Sequence, residues 1–174
     1  MPNHLLLIAP PAHVPGRYLI LRHRLARTLR RELGVHASDS ADTLVTALAR
    51  RLDCVIDIDV HPFKVPGFFG ATIRTEDGYQ ILAQSETSRE HQRHIVRHEL
   101  AHILLGTTDS AAQALLDGTH RVGDYSNPEE RDAEFVARAI TEWVRADLGA
   151  RLPHQPDDRA AAIARSLQDR IAWS

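Results

Sequence analysis

The stretch His94-Ile-Val-Arg-His-Glu-Leu-Ala-His-Ile-Leu-Leu-Gly106 constrains this chain more than any other part of it. Inside it, His98-Glu99-Leu100-Ala101-His102 is an HExxH motif, with two histidines four residues apart and a glutamate after the first. On a helix, positions i and i+4 share a face, with Cβ atoms roughly 5–6 Å apart. Two imidazoles so placed can converge on one zinc, each at about 2.0–2.1 Å. Glu99 then stands where a general base can reach a metal-bound water. The remaining positions, Ile95, Val96, Leu100, Ala101, Ile103, Leu104 and Leu105, are apolar. A helix of this kind is expected to be buried, and burial holds its ligands still.

The helix is expected to start near Thr87, with Glu90 completing a capping box, and to stop at Gly106 in a left-handed cap. His94 lies on the same face, one turn before His98. It is eight residues from His102, about 12 Å along the axis, so all three cannot share one ion. His94 is read as a neighbour or core residue, and His91 as solvent-facing.

The length suits one domain with a sizeable core, and 43% apolar with 25% charged residues is ordinary globular composition. A formal net charge of -2 implies no bulk attraction to nucleic acid or membrane. One cysteine excludes an intrachain disulfide framework and fits a reducing compartment. The apolar run Leu5 to Ala9 is short, lacks a preceding basic residue and meets Pro10-Pro11, which makes a poor signal peptide. No run approaches the roughly 20 residues of a membrane span. A cytoplasmic protein without membrane attachment is expected.

Residues 1–16 read as an extended or poorly ordered arm, and 17–174 as a single domain. Residues 17–33 read as an amphipathic helix, with Tyr18, Leu21, Leu25, Leu29 and Leu33 inward and Arg17, Arg22, Arg24, Arg27, Arg30 and Arg31 on a solvated face. A helix over 40–52, on Leu44, Leu48 and Leu52, is expected to pack against it. Cys54 to Val60 alternate as a half-buried strand with Cys54 as a core thiol. Ala71–Arg74 and Tyr79–Gln84 flank Glu76-Asp77-Gly78 as a hairpin, giving a small antiparallel sheet. An edge strand of that sheet is expected beside the metal, where a peptide could add as a further strand. Residues 107–126 are mixed, with a short helix over Ala111–Leu116. A long helix over 127–148 follows Asn127 and Pro128, with Val136, Ala139, Ile140, Trp143 and Val144 inward. A last helix spans Asp157 to Ile171.

A catalytic zinc needs a third protein ligand and an open position. Leu105 and Thr108 exclude the HExxHxxGxxH pattern, and Ser110 leaves Asp109 only a runner-up as an aspartate ligand. The remaining candidates lie in Glu129-Glu130-Arg131-Asp132-Ala133-Glu134, where Glu130 and Glu134 are one turn apart on one face. Glu130 is equally placed to complete a capping box with Asn127, and Glu134 to be a surface charge.

Together with Ile103-Leu104-Leu105-Gly106 and Glu130-Arg131-Asp132-Ala133-Glu134-Phe135-Val136-Ala137, the motif resembles the ImmA/IrrE family of metallopeptidases over about residues 55–145. These have an HExxH helix and a second helix bearing Glu-x-x-Ala-Asn/Asp/Glu. The resemblance implies a zincin-like, gluzincin-type α+β domain, with N-terminal helices, a small sheet and two metal-bearing helices. It implies one zinc per chain, held by His98, His102 and Glu130. Glu134 is then the outer carboxylate that fixes a zinc histidine, His98. The chain departs from the family at Ala139-Ile140-Thr141-Glu142-Trp143, where Leu-Leu-Met-Pro is frequent. It departs again at Thr107, where histidine is frequent. Both departures bear on the substrate.

The activity implied is peptide-bond hydrolysis by an activated water, with Glu99 taking its proton and passing it to the leaving amine. Tyr125 and His120 are candidate oxyanion or substrate donors. The resemblance points to a protein substrate such as a helix-turn-helix transcriptional regulator. Two other readings stand beside it. One is a zinc-containing interaction module of the toxin–antitoxin kind, with the open position blocked by His120 or Asp124. The other is a DNA-binding regulator acting through the arginine face, with the salt dependence that implies.

Overall fold

The computed structural model describes residues 8, 15–36, 41–64, 68–108 and 127–151, with side chains except at 41 and 146–151. Among them are four helices and a three-stranded sheet, an α+β arrangement. Helix α1, Arg17–Arg27, runs on into a π-helical turn over Thr28–Glu32. Its leucine stripe is the reason it docks: Leu21, Leu25, Leu29 and Leu33 are all buried. Fully burying one such side chain is worth about 1.5–3 kcal/mol. Tyr18, expected inward, is instead exposed, with its ring resting on that of Phe135 at 4.6 Å between centroids.

Helix α2, Ala41–Leu52, packs chiefly on the sheet and on the motif helix, whereas α1 lies against the last described helix. The expected α1–α2 pair is therefore not the main contact of either. Leu44, Val45, Ala47 and Leu48 give α2 a buried face on which a strand and a helix can both sit.

The strands are β1, Val55–His61, β2, Gly70–Arg74, and β3, Gly78–Gln84. Their order is β1-β3-β2. The hairpin between β2 and β3 forms as expected and is antiparallel. β1, however, pairs with β3 in parallel, so the sheet is mixed and not antiparallel. The physical reason lies in the strands themselves. β3 has Tyr79, Ile81 and Ala83 buried and belongs in the centre. β1 carries Asp57 and Asp59, and charge suits an edge. Nor is β1 half-buried throughout: Ile56 is buried, but Ile58 and Val60 are exposed. Cys54 packs part-buried against the core, and burial, with the Asp53 charge second, pushes its thiol pKa up.

Helix α3, Arg89–Leu105, carries the HExxH motif. Ser88, not Thr87, caps it, its hydroxyl accepting from the His91 N–H at 3.2 Å. The Thr87 hydroxyl instead meets His91 Nδ1 at 2.8 Å, and Glu90 pairs with Arg145, so no capping box forms. At the far end Gly106 adopts φ 69°, as a left-handed cap requires. Its N–H donates to the Ile103 carbonyl, the Thr107 N–H to the His102 carbonyl, and the Ile8 N–H to the Leu104 carbonyl. Ile8, within the expected arm, is buried.

Helix α4, Pro128–Arg151, starts at Asn127, whose Oδ1 accepts from the Glu129 N–H at 2.9 Å. Ala133, Val136, Ala137 and Ile140 bury its inner face against α3. Arg17 on α1 pairs with the buried Asp132 of α4. Arg22 stands 3.9 Å from Glu142, and the Arg30 guanidinium lies over the Trp143 ring. Three of the six arginines of this face, Arg17 and Arg22 on α1 and Arg30 on the π-helical turn, thus approach α4. Buried apolar residues from the four helices, β1 and β3 join in one cluster. No helix among the described residues is long and apolar enough to cross a membrane.

Candidate metal centre

α3 and α4 run side by side, and their facing side chains alternate imidazole with carboxylate. From the start of α3, the succession is His94, Glu134, His98, Glu130, His102. His98 and His102 turn their Nε2 atoms toward each other, 3.1 Å apart. Glu130 closes the group, with Oε2 3.2 Å from His98 Nε2 and Oε1 3.5 Å from His102 Nε2. Among the described residues this is the one group of three His, Cys, Asp or Glu side chains able to hold a metal ion. Four donors set tetrahedrally at about 2.0–2.1 Å from a zinc stand about 3.3 Å from one another. The separation of the two histidine nitrogens and the approach of one Glu130 oxygen to each of them fall near that edge length, and two imidazoles with one carboxylate are a donor set zinc accepts.

The charges support the same picture. Burial alone would keep His98 neutral, but hydrogen bonds to Glu130 and Glu134, helped by the Glu99 charge, hold its pKa up at about 10. Burial opposes ionisation of Glu130 too, yet the hydrogen bonds from His102 and His98 hold it well below the usual carboxylate range. A proton on His98 thus balances the two carboxylates beside it.

Outside the three donors stand groups that orient them. Glu134 Oε2 is 3.1 Å from His94 Nε2 and 3.5 Å from His98 Nδ1, and its Oε1 accepts from Arg138 Nε at 2.5 Å. Burial would raise the Glu134 pKa, but His94, His98 and Arg138 together lower it. His94 therefore faces the site as a partner of Glu134, not as a member of the donor group. The Thr107 hydroxyl lies 2.8 Å from His102 Nδ1.

Glu99 lies against the sheet. It is buried, and the Thr72 hydroxyl donates to its Oε2 at 2.9 Å. One strand register away, a Cβ on Gly70 would sit 3.0 Å from Glu99 Oε1 and 2.4 Å from the Ile95 side chain. Glycine at 70 is what lets β2 lie against this carboxylate. β2 is an edge strand of the sheet, as expected beside the site, though Gly70, Ala71 and Thr72 are themselves buried.

Sequence reasoning singled out His98, Glu99, His102, Glu130 and Glu134, and the fold brings all five together. It overlooked Thr72, and it read Thr107 only as a departure bearing on the substrate, not as a partner of His102. The signal for Thr72 was a polar residue on the strand face shared with Ile81. Tyr125, His120, Asp124 and Asp109 lie outside the described residues, as do the expected helices over 111–116 and 157–171. No protein-family model, curated protein or solved structure matches the chain.

Proposed function

We propose that this chain is a zinc metallo-endopeptidase, with one zinc held by His98, His102 and Glu130 and with Glu99 as the general base. The observation that carries the reading is the gathering of three donor residues from two helices, with the histidine nitrogens 3.1 Å apart and the two Glu130 oxygens 3.2 Å from His98 and 3.5 Å from His102. Zinc, when bound, would lower the pKa of water from 15.7 to about 7 and polarise a carbonyl. The chain's own residues supply the rest. Glu99 accepts the proton of the attacking water and returns it to the leaving amine. Thr72 holds its carboxylate by a hydrogen bond while Gly70 leaves it room, which keeps the base aligned without reorganisation. Glu134 keeps His98 turned so that Nε2, not Nδ1, faces Glu130. On the resemblance to the ImmA/IrrE family, the substrate is a regulatory protein such as a helix-turn-helix repressor.

The test compares the protein with its Glu99→Gln variant. Metal content by mass spectrometry is expected to be about one zinc per chain in both. Cleavage of a peptide library is expected from the parent alone, lower by at least about a hundredfold in the variant. Zinc with no cleavage by either would replace the peptidase by the interaction-module reading. Absence of zinc from both, after it is supplied, would end the metal reading altogether.

A further inference from the structure

We propose that Thr107 is a positioning residue for the metal centre: its hydroxyl accepts the Nδ1 proton of His102 and so presents Nε2 to the ion. This rests on the zinc reading given above, and it concerns a residue that contributes no donor to the metal. The chain of cause begins in the backbone. Gly106 takes the left-handed conformation, φ 69°, which turns the chain back over the last turn of α3. That turn brings the residue after the glycine onto the residue five before it, through the 3.0 Å hydrogen bond from the Thr107 N–H to the His102 carbonyl. The side chain follows the backbone, and Thr107 Oγ1 comes to 2.8 Å from His102 Nδ1.

A histidine that gives its Nε2 lone pair to a metal carries its proton on Nδ1, and that N–H needs an acceptor. His102 is 2% exposed, so solvent has little access to replace the hydroxyl. The two histidines are therefore held by unlike partners. His98 faces the carboxylate of Glu134 through Nδ1, whereas His102 faces a neutral alcohol. A carboxylate strengthens an imidazole as a donor more than an alcohol does. Thr107 thus acts mainly by fixing the direction and tautomer of the ring.

The experiment uses the full chain, its Thr107→Val variant, which keeps the shape and removes the hydroxyl, and Thr107→Ser, which restores it. Zinc affinity is read by competition with a chromophoric chelator. The exchange-protected Nδ1–H of His102 is read by proton NMR of the zinc-loaded protein. Thermal unfolding of the stripped proteins monitors the fold. The expected result is about a tenfold loss of zinc affinity in Thr107→Val, with loss of the protected proton signal. Thr107→Ser is expected to return both to the parent's values. Equal zinc affinity in all three proteins would overturn the role of Thr107 while leaving the metal centre intact. A loss that serine does not rescue would overturn it as well, as the mark of a packing role. Failure of the parent to bind zinc would overturn the centre itself and Thr107's role with it.

Discussion

His98 is the residue on which the charges of the site converge. Its pKa of about 10 is raised above the ordinary histidine value near 6.5. The stabilisation that follows is complete below about pH 6.5 and is lost as pH rises through about 10. The depressed Glu130 and Glu134 act in the opposite sense, their contribution being present above about pH 4.5 and lost on acidification. On the proposed zinc reading, an ion would displace the His98 proton, so zinc affinity should climb about tenfold per pH unit between pH 7 and 9. Competition titrations in that range check this, and calorimetry in buffers of different ionisation enthalpy should count about one proton released per zinc. An affinity independent of pH would mean that His98 is already neutral before the metal arrives.

At the scale of elements, the two ends of α3 were unequally legible. Its buried face followed from Ile95, Leu100, Ile103, Leu104 and Leu105. Its start did not, because Thr87 and Ser88 are both good caps and only the fold chooses between them. The stop at Gly106 was legible, but the return of Thr107 onto His102 was not read from it. The sheet order was not legible. Neighbouring strands usually pair with their sequence neighbours, and here the more apolar β3 took the centre instead. The tie from Arg17 to Asp132 was also hidden, since it depends on how α1 meets α4 and no local pattern encodes that. Gly106→Ala tests the cap. It forces a side chain into the left-handed region at a cost of about 1–2 kcal/mol. It should lower the unfolding midpoint by several degrees and weaken zinc binding, by moving Thr107 off His102. An unaltered midpoint would mean that the turn tolerates a Cβ and that glycine is not required there.

At the scale of the whole molecule, the donors are split. His98 and His102 belong to α3, and Glu130 belongs to α4, 32 residues beyond His98. Zinc is accordingly expected to raise the thermal unfolding midpoint, and chelation to reverse the gain. Scanning calorimetry with and without chelator checks both, and a midpoint indifferent to zinc would mean that the two helices do not share an ion. In terms of chain mechanics, an ion gripped from both helices is a cross-link that closes a loop. By the arithmetic used for disulfides, a closed loop of that length restricts the unfolded chain by about 3–4 kcal/mol. Unlike a disulfide, such a link can be opened by a competing chelator or by acid, with no change in redox state. The stiffness of the joint between α3 and α4 would then follow the free zinc concentration around the protein.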